Sequence, residues 1–441
     1  MIPLSSQSFE RYLYFLRRVV NFKTLFNRPD QIELAMDWCH EVFSKSLKGY
    51  RVYRDGAENL IACPQQINPN NDIVYLSAHM DTVDADPKEW DSPFRPFSLY
   101  EDEHQIVARG VSDCKAGVAF ELFLADLAFR AHMSCSNLVF TVTFKEEGAG
   151  EKTARQIGKD LGTRLPLSKK DTFFIVLENT VSLGDPSVLS YYTAERGNFV
   201  IRASDTLAGL RTVLSKLGNW NPVSICPKES LDFSVEKVLS QAGGHVCSVP
   251  RTKNLLTRVI ESSDDNTLIL AGDESGFGVV PTRINLGKSS YPVIHDLVLS
   301  NRSFDSVDFV YEQLEGITYT QVKPFSISQG MNVDSKFGAL PICRVFNSYN
   351  DEDIIVSKDF NIGASDATIV SRSMTPEYKH RFYPIVVGPG TRSQKNATPP
   401  RLTHGKNETF DKASGRACVG FLIHALSEMG VIKCNGLKEG L

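Results

Sequence analysis

The sequence predicts an α/β protein in which a mostly parallel sheet lies between helices and a smaller α+β domain is inserted. Three observations carry this. Apolar runs of strand length, such as IVYLSAH, NLVFTVTF and DTFFIVLEN, alternate with helically spaced stretches, and near-continuous apolar runs mark strands buried on both faces. Several of these runs end in an imidazole or a carboxylate, which puts polar chemistry at the carboxyl ends of the strands. From Arg196 to about Ser328 the strands become shorter and more polar, which marks the insertion. The expected divisions are therefore 1–196, 197–328 and 329–441, with the first and third forming one domain.

Residues 7–20 and 30–46 place Phe9, Tyr12, Phe15, Leu16 and Val19, then Ile32, Ala35, Trp38, Val42 and Phe43, at helical spacing. Strands follow at 50–54 and 59–63, and then at 73–79, the run around which the chain is organised. It ends in His79, with Asp81 two residues on; i and i+2 share a strand face, so that carboxylate can orient the imidazole. A strand-end histidine beside a solvated aspartate is the plainer reading. QIVARG at 105–110 reads as a short strand, and Gly110 and Gly117 permit a tight turn and close backbone approach. Asp113 then stands before an apolar helix, where an N-cap is the default alternative to a ligand.

The strand in NLVFTVTFKEEGAG ends in the adjacent pair Glu146 and Glu147. One of two neighbouring carboxylates can bind a metal while the other moves a proton, and like charges so close need a cation or a raised pKa. DTFFIVLEN delivers Glu178 in the same way. In the insertion, 206–217 and 252–261 read as helices. FNIGASDATIVS and FYPIVVGPG return to helix and strand, RLTHGKNETFD holds His404, and a helix at 413–430 carries His424 on a core face.

Composition narrows the partners. The chain has 441 residues, 42% of them hydrophobic, enough for a sizeable core and two domains. A net charge of -4 and a pI near 6.2, with no long basic run, argue against nucleic acid. Glu10 and Arg11 interrupt any secretory apolar segment and no later apolar run reaches ~18 residues, so a cytoplasmic protein without membrane contact is expected. Nine cysteines without CxxC spacing read as reduced thiols.

Taken together, AHMDTV, RGVSDCKAG, FKEEGAG, VLEN, GASDA, VVGPG and THGKNE resemble, in order and approximate spacing, the di-zinc aminoacylase and carboxypeptidase family. That family includes acetylornithine deacetylase, succinyl-diaminopimelate desuccinylase and glutamate carboxypeptidase. The resemblance implies a zinc-exopeptidase-like catalytic domain with an inserted lid and dimerisation domain. It implies two zinc ions, replaceable by cobalt or manganese, bridged by Asp113, with His79 and Glu178 on one and Glu147 and His404 on the other. Glu146 would be the general base and Asp81 the partner of His79, and the Asp113–Cys114 bond would be cis. Glu at 178 resembles the deacylase and glutamate-carboxypeptidase side of the family.

In the insertion, GGHVCSVPRTKN resembles the lid segment whose histidine, here His245, reaches the partner subunit's site, although Pro250 stands one place late. DLVLSNRSFDSVD resembles the stretch whose arginine, here Arg302, binds a substrate carboxylate, and GASDA offers Gly363 and Ser365 to the substrate. Gly278 and Ala364 depart from the pattern in ways that disfavour succinylated substrates. The implied activity is hydrolysis of the amide bond of small N-acyl amino acids, or of C-terminal residues of short peptides, by a homodimer. A metal-free relative serving as a binding or regulatory module is the rival class; it should have lost ligands or base, and all are present.

Overall fold

The computed structural model describes residues 4–149, 152–182, 184–195, 365–392 and 403–433, together with strand backbones between 198 and 361. The chain divides into two compact units, one formed by Met1–Ala194, Val333–Phe360 and Ser365–Leu441, the other by Glu195–Asn332 and Asn361–Ala364.

The first unit opens with helices α1 (Ser6–Val20) and α2 (Pro29–Ser46). Ser5 caps α1 by accepting from Ser8 N at 3.1 Å, and Pro29 starts α2 at a position where its missing N–H costs nothing. The helices bury the faces that their spacing predicts, including Tyr12, Leu16, Val19, Ala35 and Phe43. Strands β1 (Tyr50–Arg54), β2 (Leu60–Pro64) and β3 (Ile73–His79) follow, then the short β4 (Tyr100–Glu101) and β5 (Gln105–Val107). The structure ends β5 at Val107, earlier than the sequence suggests: Ala108 N still bonds Glu408 O at 3.1 Å, but Arg109 N turns to Pro96 O at 2.6 Å and the chain bends at Gly110.

Helix α3 (Lys115–Arg130) is apolar on nearly every face and correspondingly buried between α1, α2 and the sheet. Beyond it come β6 (Leu138–Thr143), the single turn α4 (Glu146–Ala149), α5 (Lys152–Asp160), β7 (Thr172–Val176) and β8 (Val188–Glu195).

The second unit contains an antiparallel sheet in the order β10 (Asn221–Pro227), β14 (His295–Asn301), β9 (Asn198–Asp205), β15 (Gln321–Ser328). A second antiparallel sheet joins β11 (Arg258–Ile260), β12 (Thr267–Ala271) and β13 (Thr282–Asn285), and β16 is Met331–Asn332. Residues 258–260 were expected within a helix. They are a strand instead, as the β-branched Val259 and Ile260 favour once β12 offers a ladder. The expected helix at 206–217 lies outside the described residues.

The first unit then resumes with β17 (Ile355–Asn361), α6 (Asp366–Ser373), β18 (Phe382–Val386), β19 (Thr409–Asp411) and α7 (Lys412–Glu428). Its sheet runs β1-β2-β6-β3-β7-β18-β8, with β17 also against β8. The central strands β6, β3, β7 and β18 are parallel; β2 and β8 pair antiparallel to them at the flanks, and β1 pairs antiparallel to β2. All residues of the four central strands are buried, which explains their largely apolar sequence. His79 ends β3, Glu146 and Glu147 follow β6, and Glu178 follows β7, so these side chains gather at one end of the sheet. No helix among the described residues is long and apolar enough to cross a membrane.

Candidate metal centre

Asp113 stands at the middle of the site. Its Oδ1 is 2.9 Å from His79 Nε2 and its Oδ2 is 3.0 Å from His404 Nε2, so each oxygen faces one imidazole. The N-cap alternative fails: the residue capping α3 is Cys114, without a side-chain cap bond, while Asp113 turns its carboxylate inward. The Asp113–Cys114 peptide bond is cis. Gly117 explains how the first turn of α3 comes so close to the sheet, since a Cβ there would lie 2.3 Å from Leu177 O. Gly110 has φ of 78° and turns the segment where a Cβ would meet Thr82 Cγ2 at 2.2 Å.

His79 is oriented differently from the expectation. Its Nδ1 lies 3.0 Å from the main-chain O of Asp81, and the Asp81 carboxylate stays 3.7 Å away. The carboxylate accepts from Glu146 N at 3.0 Å and Glu147 N at 2.8 Å instead, capping α4. Local geometry is the reason: a one-turn helix presents two N–H donors that a buried carboxylate satisfies better than one imidazole does. Burial pushes the Asp81 carboxyl up to about 6, against the pull of His79. Glu146 and Glu147 therefore open a helix and do not end a strand.

Among the described residues, two groups have potential ligand atoms all within 4.8 Å of one another: His79, Glu146 and Glu147, and Asp113, Glu147 and His404. Glu178 belongs to neither, although it lies near enough to Cys114 to raise that thiol's pKa, after burial, the larger cause. Glu147 Oε1 is 2.7 Å from His404 Nε2. Burial foremost pushes the Glu146 carboxyl well above the usual range; Glu147, Asp366 and Asp81 add to this and His79 opposes it. Burial works against a charged His79, yet Asp113 and its neighbours hold the imidazole well above its usual value. Burial likewise opposes ionisation of Asp113, and the two imidazoles overcome it to hold that carboxyl far below the usual range.

The donor set fits a metal. A carbonyl can only accept, so His79 Nδ1 carries a proton; without a metal, Nε2 must carry a second one to face a carboxylate oxygen 2.9 Å away, a charge that burial opposes. His404 Nε2 has room for one proton and faces two carboxylate oxygens. Cations between these atoms resolve both conflicts, and imidazole and carboxylate donors without thiolates suit catalytic zinc.

The sequence profile of peptidase family M20/M25/M40 matches residues 75–428. The chain belongs to this family. It is thereby placed among hydrolases of amide or peptide bonds. An acetylornithine deacetylase from Arabidopsis thaliana is 32% identical over 95 residues, 22% of this chain; the match spans about a fifth of that relative, 21%. A dipeptidase from Saccharomyces cerevisiae superposes with a TM-score of 0.60 at 13% identity, over 96% of this chain and 97% of that one. An M20 family metallo-carboxypeptidase from Sulfolobus solfataricus gives 0.58 at 16% identity, over 95% and 99%. At such identities the likeness concerns the fold.

Of the other expected site residues, Ser365 is buried and its hydroxyl accepts from Ala367 N at 3.2 Å, capping α6. His245, Arg302 and Gly363 lie outside the described residues. Sequence reasoning missed Glu408 and Arg109, which hold the Asp113 segment, because a glutamate in a polar loop looks like any solvated acid. THGKNE carried the signal only in hindsight of its burial: Glu408 is 2% exposed.

Proposed function

We propose that the protein is a zinc-dependent hydrolase cleaving the amide bond of small N-acyl amino acids or the C-terminal residue of short peptides. The observation carrying this is the Asp113 carboxylate set between the Nε2 atoms of His79 and His404, beside the Glu146–Glu147 pair. His79, Asp113, Glu147, Glu178 and His404 would hold two zinc ions, with cobalt or manganese as substitutes. When bound, zinc polarises the scissile carbonyl and lowers the pKa of water to ~7.

The chain's own residues then divide the work. Glu146, whose buried carboxyl binds a proton more firmly than an exposed glutamate, accepts one from the attacking water and returns it to the leaving amine. The Asp81 carbonyl fixes the His79 ring, and the Asp81 carboxylate fixes the backbone from which Glu146 and Glu147 project. Residues 197–328 would form a lid and dimerisation domain; from it His245 would donate to the oxyanion in the partner subunit's site and Arg302 would bind the substrate carboxylate, with Gly363 lining the site.

Assay of N-acetyl amino acids and dipeptides, with zinc or cobalt and after chelation, tests this reading. Hydrolysis in one class, lost on chelation and restored by metal, is expected. No turnover of either class by fully loaded protein would overturn it. Glu146→Gln should keep its metals and lose roughly 10²–10⁴ in rate; loss of metal from that variant would contradict the division of roles.

A further inference from the structure

The Glu408 carboxylate accepts from four donors. Ser112 N and Asp113 N reach Oε1 at 2.9 and 3.0 Å, and Gly110 N and Arg109 Nη1 reach Oε2 at 2.9 and 3.0 Å. A carboxylate has about four lone-pair sites, so its capacity is used. The Nη2 atom of Arg109 donates to the main-chain O of His404 at 3.3 Å, and its guanidinium lies over the Trp90 ring, 5.6 Å from the centroid. One buried ion pair thus ties the segment carrying Asp113 to the segment carrying His404.

Both segments are irregular, and His404 has φ of 61°, where non-glycine residues rarely sit. Side chains on such backbone need outside support to hold a fixed geometry. Stability alone does not account for the pair, because well-packed apolar residues often replace a buried ion pair at no loss.

We propose that Glu408 is a positioning residue, fixing the separation of Asp113 from His404 and so the affinity and geometry of a metal held between them. This rests on the metal-centre reading above. Glu408→Gln keeps the side-chain size but turns one oxygen into an amide donor facing donors, which loses two of the four bonds. Arg109→Lys keeps the charge but loses the planar fork whose Nη1 and Nη2 reach Glu408 and the His404 carbonyl separately, leaving one nitrogen on a shorter side chain.

The test uses the full chain loaded with Co²⁺. Metal affinity is read by competition with a chromophoric chelator, geometry by the visible Co²⁺ absorption, and folding by circular dichroism. Glu408→Gln is expected to bind metal about 10–100-fold more weakly, with an altered spectrum, and Arg109→Lys to shift the same way by less. Glu121→Gln, a buried substitution in α3 away from the site, should change Tm and leave affinity and spectrum alone. Wild-type affinity and spectrum in folded Glu408→Gln and Arg109→Lys, even with a lower Tm, overturns the proposal. If Glu408→Gln does not fold, Arg109→Lys decides by the same criterion. A wild-type protein that holds no Co²⁺ refutes the metal-centre reading itself and is recognised before any variant is measured.

Discussion

At Asp81 the main-chain carbonyl orients His79 while the carboxylate caps α4, so one substitution separates the two tasks. Asp81→Ala removes the cap and keeps the carbonyl. A stability loss of about 0.5–2 kcal/mol is expected, the usual cost of losing an N-cap. Turnover should fall further than metal affinity, since the freed segment carries Glu146; urea unfolding beside metal titration checks both. Glu121 offers a different residue-scale prediction. It is fully buried in α3, near Cys39 of α2, and neither carboxyl oxygen makes a hydrogen bond among the described residues, the Thr141 backbone approaching without one. Burial holds its pKa well above the ordinary value. The native state therefore keeps a proton that the unfolded chain releases above about pH 4.3, and stability falls as pH rises from there, by up to ~1.4 kcal/mol per unit, until the raised pKa is passed. Glu121→Gln should flatten that slope in unfolding curves between pH 5 and 8; an unchanged slope would show that Glu121 is ionised in the folded protein.

Elements make the site by meeting closely, and glycines set how closely. In Gly117→Ala the new methyl would press on Leu177 O at 2.3 Å and Leu177 Cβ at 2.7 Å, so α3 must lift from the end of β7. A loss of roughly 1–3 kcal/mol follows from such overpacking. Metal affinity should fall with it, because α3 begins two residues after Asp113; a variant with unchanged Tm would place slack where the structure has none. Contacts of this kind also explain what was legible in the sequence. Helices α1 and α2 and strands β1, β2 and β3 fall within a residue of their expected bounds, because periodicity and burial are written locally. The inward turn of Asp113, the capping of α4 by Asp81 and the hold of Glu408 on residues 109–113 depend on partners far along the chain, and no local pattern reports them. The 188–195 segment joined the main sheet unforeseen for the same reason: only its pairing with β18 and β17 gives it that place.

For the whole molecule, ligand candidates spread from His79 to His404 cannot be gathered by an unfolded chain, so metal should bind the native state almost alone. Saturation at a hundred times the dissociation constant then stabilises by about 2.7 kcal/mol, and chelation should lower Tm accordingly. An unmoved Tm would mean that the donors act without a metal. Subunit sharing, if His245 serves the neighbouring site, would appear when inactive His245→Ala and Glu146→Gln chains are mixed: a heterodimer regains one whole site. A dead mixture with proven heterodimers would assign His245 another role.

Strand β18 sits between β7 and β8, yet about 190 residues of chain separate it from the end of β8. During synthesis, β7 and β8 therefore leave the ribosome with the place between them open. At ordinary elongation rates, about 5–20 residues per second, the missing strand arrives roughly 10–40 s later, and His404 later still. Until then the nascent chain shows bare apolar edge to its surroundings, the kind of surface that invites wrong strand partners. Ribosome-associated holding factors should accordingly engage this protein over that interval and let go once residue 386 has emerged.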